Sequence, residues 1–338
     1  MISRSNVILA GLLVGQVLLL AASLVSSRGT QSRAIEPIVA GLSAPEIERM
    51  TIVSSPEDSV IFARKDAGWV LPAADDFPVD GDKVDEALGK LLGLDTRRLV
   101  ASNPVNFARL EVKDDDYRRR IELSGGDASA ILYLGGGDTV YVRRADENQV
   151  YLGGGLTAWE LSTQIATWVD ASYINIAQAD VQEIRVQNAQ GEFTLLRDGE
   201  SWTYTGLRAD EVLEDTKIPS ILRNAASIRL VEPLGLAVLD DYGMADPSVI
   251  VEVKYQQLVE TQPAEGADAD NEASIAEPQF TDAMLSLAFG AALESGDVVL
   301  KSSGSDYFVA VRETAYQVFA ELSREDLVKA PASDAGGE

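Results

Sequence analysis

The chain has no cysteine and no histidine among its 338 residues. Disulfides, thiolate nucleophiles and cysteine-ligated zinc are therefore excluded. Ser-His-Asp triads, Cys-His dyads and histidine-ligated metals go with them. A lipid anchor on an N-terminal cysteine is closed as well. Basic residues are also scarce: 28 Lys and Arg stand against 54 Asp and Glu, a formal charge of −26. Such a field repels nucleic-acid phosphates and anionic lipid headgroups, so nucleic acid is not expected as a partner. No basic-aromatic patch for nucleic acid is present.

What is abundant is apolar residues, 46% of the chain, enough for real cores. An uncharged apolar stretch, Val7 to Val25, reads VILAGLLVGQVLLLAASLV. At about 1.5 Å per residue it nearly spans a hydrocarbon core of about 30 Å, and it shows no polar stripe. Residues 7–25 are expected to be a transmembrane anchor. Residues 1–6 would be a cytoplasmic tail and residues 26–44 a polar tether. A cleaved signal peptide ending near Val25-Ser26-Ser27 is the competing reading, and the charges flanking the span do not decide orientation. A short tail before the span and a large region after it fit a single-pass protein of the bacterial inner membrane, with its C-terminal domain in the periplasm.

From Ile47 onward the chain resembles itself. KDAGW (Lys65–Trp69) recurs as RDGESW (Arg197–Trp202). Lys83-Val84 with Ala87-Leu88 recurs as Lys217-Ile218 with Ile221-Leu222, and Arg98-Leu99-Val100 as Arg229-Leu230-Val231. ILYLGG (Ile131–Gly136) corresponds to MLSLAFG (Met284–Gly290), and Thr157-Ala158-Trp159 to Thr314-Ala315-Tyr316. Their common order predicts two tandem α+β repeats, 45–176 and 177–330, each an antiparallel sheet with helices, rather than a doubly wound fold. An acidic insertion, 259–279, interrupts the second repeat, and 331–338 reads as a disordered tail.

Within each half, two alternating strands and a tryptophan strand come first. An amphipathic helix follows: Val84, Ala87, Leu88, Leu91 and Leu92 fall on one stripe, with Asp82 as its expected N-cap. In the second half the helix is expected to begin near Asp215 or Thr216, with Pro219 in its first turn. Short strands follow, and Leu156–Val169 has the length and pattern of a closing helix.

No motif carries chemistry at the right spacing. Gly135–Gly137 and Gly153–Gly155 lack the phosphate-loop pattern and read as hairpin turns. Asp114–Asp116 and Asp240–Asp241 read as solvated acids. Asp268, Asp270 and Glu272 superficially resemble a calcium loop, but the glycine and the final bidentate Glu are misplaced. Trp69 and Trp202 could be carbohydrate platforms; their matching places favour core anchors. No catalytic residue, no metal site and no cofactor is expected.

YGMADP (Tyr242–Pro247) before a strand, ILYLGGG (Ile131–Gly137) and the hairpin VYVRRADENQVYLG (Val140–Gly153) are similar to elements of the domain-of-unknown-function 4340 family. The similarity runs from about Ile47 to Val328. The first repeat departs at Phe107–Leu110, where tyrosine-glycine would stand. The resemblance implies a membrane-anchored auxiliary protein associated with ABC-type transporters, and it supplies no catalytic residues. The expected function is a non-enzymatic accessory subunit, bound to the bilayer through Val7–Val25 and to transporter membrane or ATPase subunits. An envelope glycan- or ligand-binding module and a carboxylate-dependent hydrolase are the alternatives.

Overall fold

A computed structural model of the protein describes residues 35–55, 58–259 and 279–329. The expected anchor Val7–Val25, residues 26–34 of the tether, 260–278 of the acidic insertion and the tail 331–338 lie outside the described residues. Among the described residues no helix is long and apolar enough to cross a membrane.

In chain order the strands begin with β1 (Arg49–Ser55), β2 (Asp58–Lys65), β3 (Gly68–Leu71) and β4 (Phe77–Pro78). Helix α1 (Gly81–Leu92) is followed by β5 (Leu99–Ala101), β6 (Val112–Lys113) and β7 (Asp116–Tyr117). A run of strands comes next: β8 (Arg119–Gly125), β9 (Ala128–Gly136), β10 (Val140–Arg144) and β11 (Val150–Gly153). Then come β12 (Ser172–Asn175), β13 (Val181–Asn188), β14 (Gly191–Asp198), β15 (Ser201–Tyr204) and β16 (Val212–Leu213). Helix α2 (Ile218–Ala226) leads to β17 (Ser227–Gly235), β18 (Val249–Val259), β19 (Gln279–Ala292), β20 (Val298–Ser302) and β21 (Phe308–Val311). Helix α3 (Glu313–Ala320) and β22 (Val328–Lys329) close the chain. The architecture is α+β, mostly antiparallel sheet with few helices.

Two compact units form. The first comprises Ala87–Leu161 with the described part of Met1–Ile47. Its sheet runs β8-β9-β10-β11-β5, with a separate β6-β7 hairpin. Alternation along β8 and β9 buries Ile121, Leu123, Leu132 and Leu134, and α1 buries Leu88 and Leu91. The second unit comprises Glu48–Glu86 with the described part of Ser162–Glu338. It holds the antiparallel ribbon β1-β2-β3-β4 and the sheet β12-β17-β21-β20-β19-β18-β13-β14-β15. Helices α2 and α3 pack on β13, on β18 and on one another. Phe289 and Phe319 are fully buried there, their ring centroids 5.9 Å apart.

The strand orders match. Ribbon β1-β2-β3 has the order of β13-β14-β15, and β8-β9-β10-β11-β5 has that of β18-β19-β20-β21-β17. Arg64 stands opposite Trp69 and stacks over its ring at 4.5 Å; Arg197 stands opposite Trp202 and stacks at 4.9 Å. The tight β8–β9 turn, with Gly125 opposite Ala128, is replaced by a long β18–β19 hairpin from whose end residues 260–278 depart.

Tyr242 ends a 3-10 turn, Gly243 has φ of 66°, and β18 follows. A Cβ on Gly290 would lie 2.0 Å from the Tyr242 carbonyl oxygen. In the first unit, a Cβ on Gly135 would lie 1.8 Å from the Leu110 carbonyl oxygen, and Glu111 takes the left-handed φ of 55°. Phe107–Leu110 therefore does what the tyrosine-glycine segment does, with Glu111 in place of glycine. Its carboxylate accepts from Gly136 N–H at 3.1 Å and from Arg118 Nε at 3.1 Å.

Four readings are corrected. Leu156–Val169 is not a helix; only one 3-10 turn, Ile165–Thr167, forms there. Glu160 accepts from both the N–H and the hydroxyl of Thr157, and Ser162 Oγ accepts from Gln164 N–H, so side chains compete with the helical ladder. The correspondence of Thr157–Trp159 with Thr314–Tyr316 fails for the same reason, since the latter are in α3. Helix α1 begins two residues earlier than expected: Val84 N–H reaches Asp80 O at 3.4 Å, so Asp80 precedes the helix and Asp82 lies in its first turn. Gly153–Gly155 is not a hairpin turn; Gly153 ends β11, and a loop follows.

Candidate functional site

The second unit contains a cleft of about 630 Å³. One wall is the exposed side of β17, where alternation sends Ile228 and Leu230 inward and Arg229 outward. The segment 163–166 and the start of β2 form another wall, and the beginning of α3 closes it with Arg312. Four charged side chains line it: Asp58, Arg229, Glu232 and Arg312. Asp58 is engaged, accepting from the hydroxyls of Thr163 at 2.9 Å and of Ser54. Among the described residues neither arginine is ion-paired, in a chain whose acids outnumber its bases almost two to one.

Glu232 is half-buried on β17, and no described residue donates to it. Burial pushes its carboxyl pKa above 4.5, and the negative charge of Asp297 pushes the same way. A raised folded-state pKa favours the protonated native form. That contribution to stability is full below the unfolded pKa and is lost as pH rises through the folded one. Glu232→Gln is expected to remove this dependence. The difference in melting temperature between variant and parent should grow in the variant's favour as pH rises from about 4.5 to neutrality. A constant difference across that range would show that Glu232 is not held in its acid form.

Two guanidiniums suit a carboxylate or phosphate, and Glu232 can carry a proton near them. Among the described residues no group of three or more acids is arranged to hold a metal ion.

The other candidates are dispersed. Asp114 pairs with Arg143. Asp115 pairs with Lys113 at 2.7 Å, and that hydrogen-bonded ammonium keeps its pKa low. Asp240 and Asp241 form the turn before Gly243. Gly135–Gly137 makes the end of β9 and its turn into β10, Gly136 having φ of 78°. Asp268, Asp270 and Glu272 lie outside the described residues. Trp69 is 3% exposed, a core anchor, whereas Trp202 is half-buried on an edge strand. The two tryptophans read alike in sequence; among the described residues the strand that covers Trp69 has no counterpart beside Trp202. Arg229 was visible only as part of a repeated strand, and Arg312 and Glu232 carried no local signal.

A family model described as Domain of unknown function (DUF4340) matches residues 69–247. No curated protein and no solved structure matches the chain.

Proposed function

The chain belongs to that family, whose model covers more than half of it, and we propose that it works by docking and not by catalysis. In this reading Val7–Val25 anchors it in the bacterial inner membrane, and two copies of one α+β unit, 45–176 and 177–330, stand in the periplasm. Its partners are the membrane or ATPase subunits of an ABC-type transporter or a related envelope complex. The matching strand orders support the duplication, and the family resemblance supports the transporter.

The observation that carries docking is an apolar loop held in place. After β17, Leu236, Val238 and Leu239 are 47%, 63% and 49% exposed. Both ends are fixed: Leu236 N–H donates to Asp75 Oδ2 at 2.7 Å, and Leu239 O accepts from Tyr242 N–H at 3.1 Å. Three exposed apolar side chains close together on backbone fixed at both ends support an interaction surface. Asp240 and Asp241 follow it directly, which disfavours anionic lipid and favours an apolar protein groove.

Replacing Leu236, Val238 and Leu239 together by serine is expected to leave folding and carbonate-resistant membrane retention intact. Recovery of transporter subunits should fall at least tenfold when tagged protein is purified in mild detergent from its native host and read by mass spectrometry. Docking fails if the parent purifies alone even after crosslinking. The cleft favours a second reading, an envelope module binding an anionic ligand. There, Arg229→Ala with Arg312→Ala would abolish a ligand-induced thermal shift and leave copurification unchanged.

A further inference from the structure

The two tryptophan ribbons differ at their outer edge. Along β3 the edge is closed by β4, with Val70 opposite Pro78 and Leu71 opposite Phe77. Val79 N–H donates to Trp69 O at 2.9 Å, and the Trp69 indole N–H donates to Asp85 Oδ1 at 2.9 Å. Along β15, described residues make none of these contacts. β16 follows β15 as β4 follows β3, yet it pairs with β22, placing Leu213 opposite Val328. Glu214, at the place of Val79, donates its N–H to Leu327 O at 3.0 Å. Asp85, two residues after Lys83, is matched by Pro219, two residues after Lys217, which cannot accept from an indole.

What remains is a cleft of about 500 Å³ beside an open strand edge. Trp202, Leu213, Pro219 and Leu222 wall it, and Glu200 and Asp215 are the charged residues that line it. β15 ends its sheet and pairs only with β14. Thr205 N–H reaches Thr194 O at 3.0 Å, so antiparallel alternation turns the backbone groups of Trp202 away from β14.

We propose that β15 takes up an extended peptide of a partner protein as an added strand. An apolar side chain of that peptide rests on Trp202, and basic residues flank it. Main-chain bonds to an open edge give such binding its affinity, and a pocket for one side chain gives its specificity. The chemistry of the occupant is read from β4, which brings a Phe-Pro-Val run to the matching edge and buries Phe77 to 9% exposure. The flanking charge is read from the two acids. The site shares no residue with the apolar loop or the arginine cleft, so it stands or falls without them.

The test uses the full-length chain in detergent micelles and a synthetic peptide carrying Phe-Pro-Val between pairs of lysines. Binding is followed by the NMR shifts of the Trp202 indole and backbone N–H and by their exchange with deuterium. The peptide is expected to shift both signals and to protect the backbone N–H. Replacing its phenylalanine by aspartate should weaken binding at least tenfold. Leu222→Arg, which fills the cleft while leaving the tryptophan in place, should do the same with an unchanged melting temperature. The proposal is overturned if the aspartate peptide binds equally well, if the shifts lie elsewhere, or if Leu222→Arg has no effect. It is also overturned if the Trp202 backbone N–H is already protected in the free protein, which would mean that the chain itself or a second copy fills the edge.

Discussion

Arg143→Met is expected to destabilise the unit containing Ala87–Leu161 by about 3–5 kcal/mol, read as a lower urea midpoint. Arg143 is 3% exposed on β10. Its Nε donates to Val112 O at 2.8 Å, and its Nη1 lies 3.2, 3.3 and 3.2 Å from the carbonyl oxygens of Arg144, Ala145 and Glu147. The guanidinium stacks over Phe107 at 4.4 Å and Tyr133 at 4.7 Å. It thus ties the β6–β7 hairpin to the β10–β11 turn, and the fully buried Val112 would lose this donor, at a cost of about 1–3 kcal/mol. Methionine fills similar space and donates nothing. Lysine keeps the charge but loses the planar fork and the stacking, so Arg143→Lys should recover less than half of the loss. The ion pair with Asp114 is a minor part, because the Asp114 side chain is 75% exposed. Asp114→Asn should cost under about 1 kcal/mol. A methionine variant within about 1 kcal/mol of the parent would contradict this account.

Gly135→Ala should be at least as damaging, about 3 kcal/mol or more, and Gly89→Ala should have the opposite sign. The added methyl at 135 would sit 1.8 Å from Leu110 O and 2.6 Å from Glu111 O. Both are backbone atoms, with no flexible side chain to move aside. Gly89 lies exposed in α1, with nothing within 4 Å of an added Cβ, so alanine there should stabilise by up to about 1 kcal/mol through helix propensity. The matching test in the second unit is Gly290→Ala, whose methyl would meet Tyr242 O at 2.0 Å. Thermal unfolding of the three variants beside the parent decides the matter: equal melting temperatures for Gly135→Ala and Gly89→Ala would refute it. This close approach is also the physical content of the apolar-x-apolar-glycine segment: a carbonyl from the preceding turn packs directly on the strand.

Period and turn chemistry were enough to read most of the fold. Alternation marked β1, β2, β13 and β14 to within a few residues, because one face of each is buried and the other solvated. The 3.6-residue stripe marked α1, whose Val84, Ala87, Leu88 and Leu91 are all buried, while Leu92 is only half-buried. Leu156–Val169 failed because its apolar spacing is helical while its Glu160 and Ser162 side chains bind the local backbone, a competition that periodicity does not register. The candidate sites were far less legible. Arg229 and Glu232 share β17 while Arg312 lies about 80 residues further on, and no chemical motif links them.

The sequence by itself determined the pattern of strands and helices, the order in which they recur, and the exclusion of thiol and imidazole chemistry, since local propensity, burial period and composition need no knowledge of neighbours. Only the tertiary structure decided which of two similar tryptophans is buried. Trp69 and Trp202 share an arginine, a hairpin and a following helix, and they differ in whether the next short strand pairs beside them or with Val328–Lys329. That choice sets a local partner against one more than 100 residues away, which no local pattern encodes.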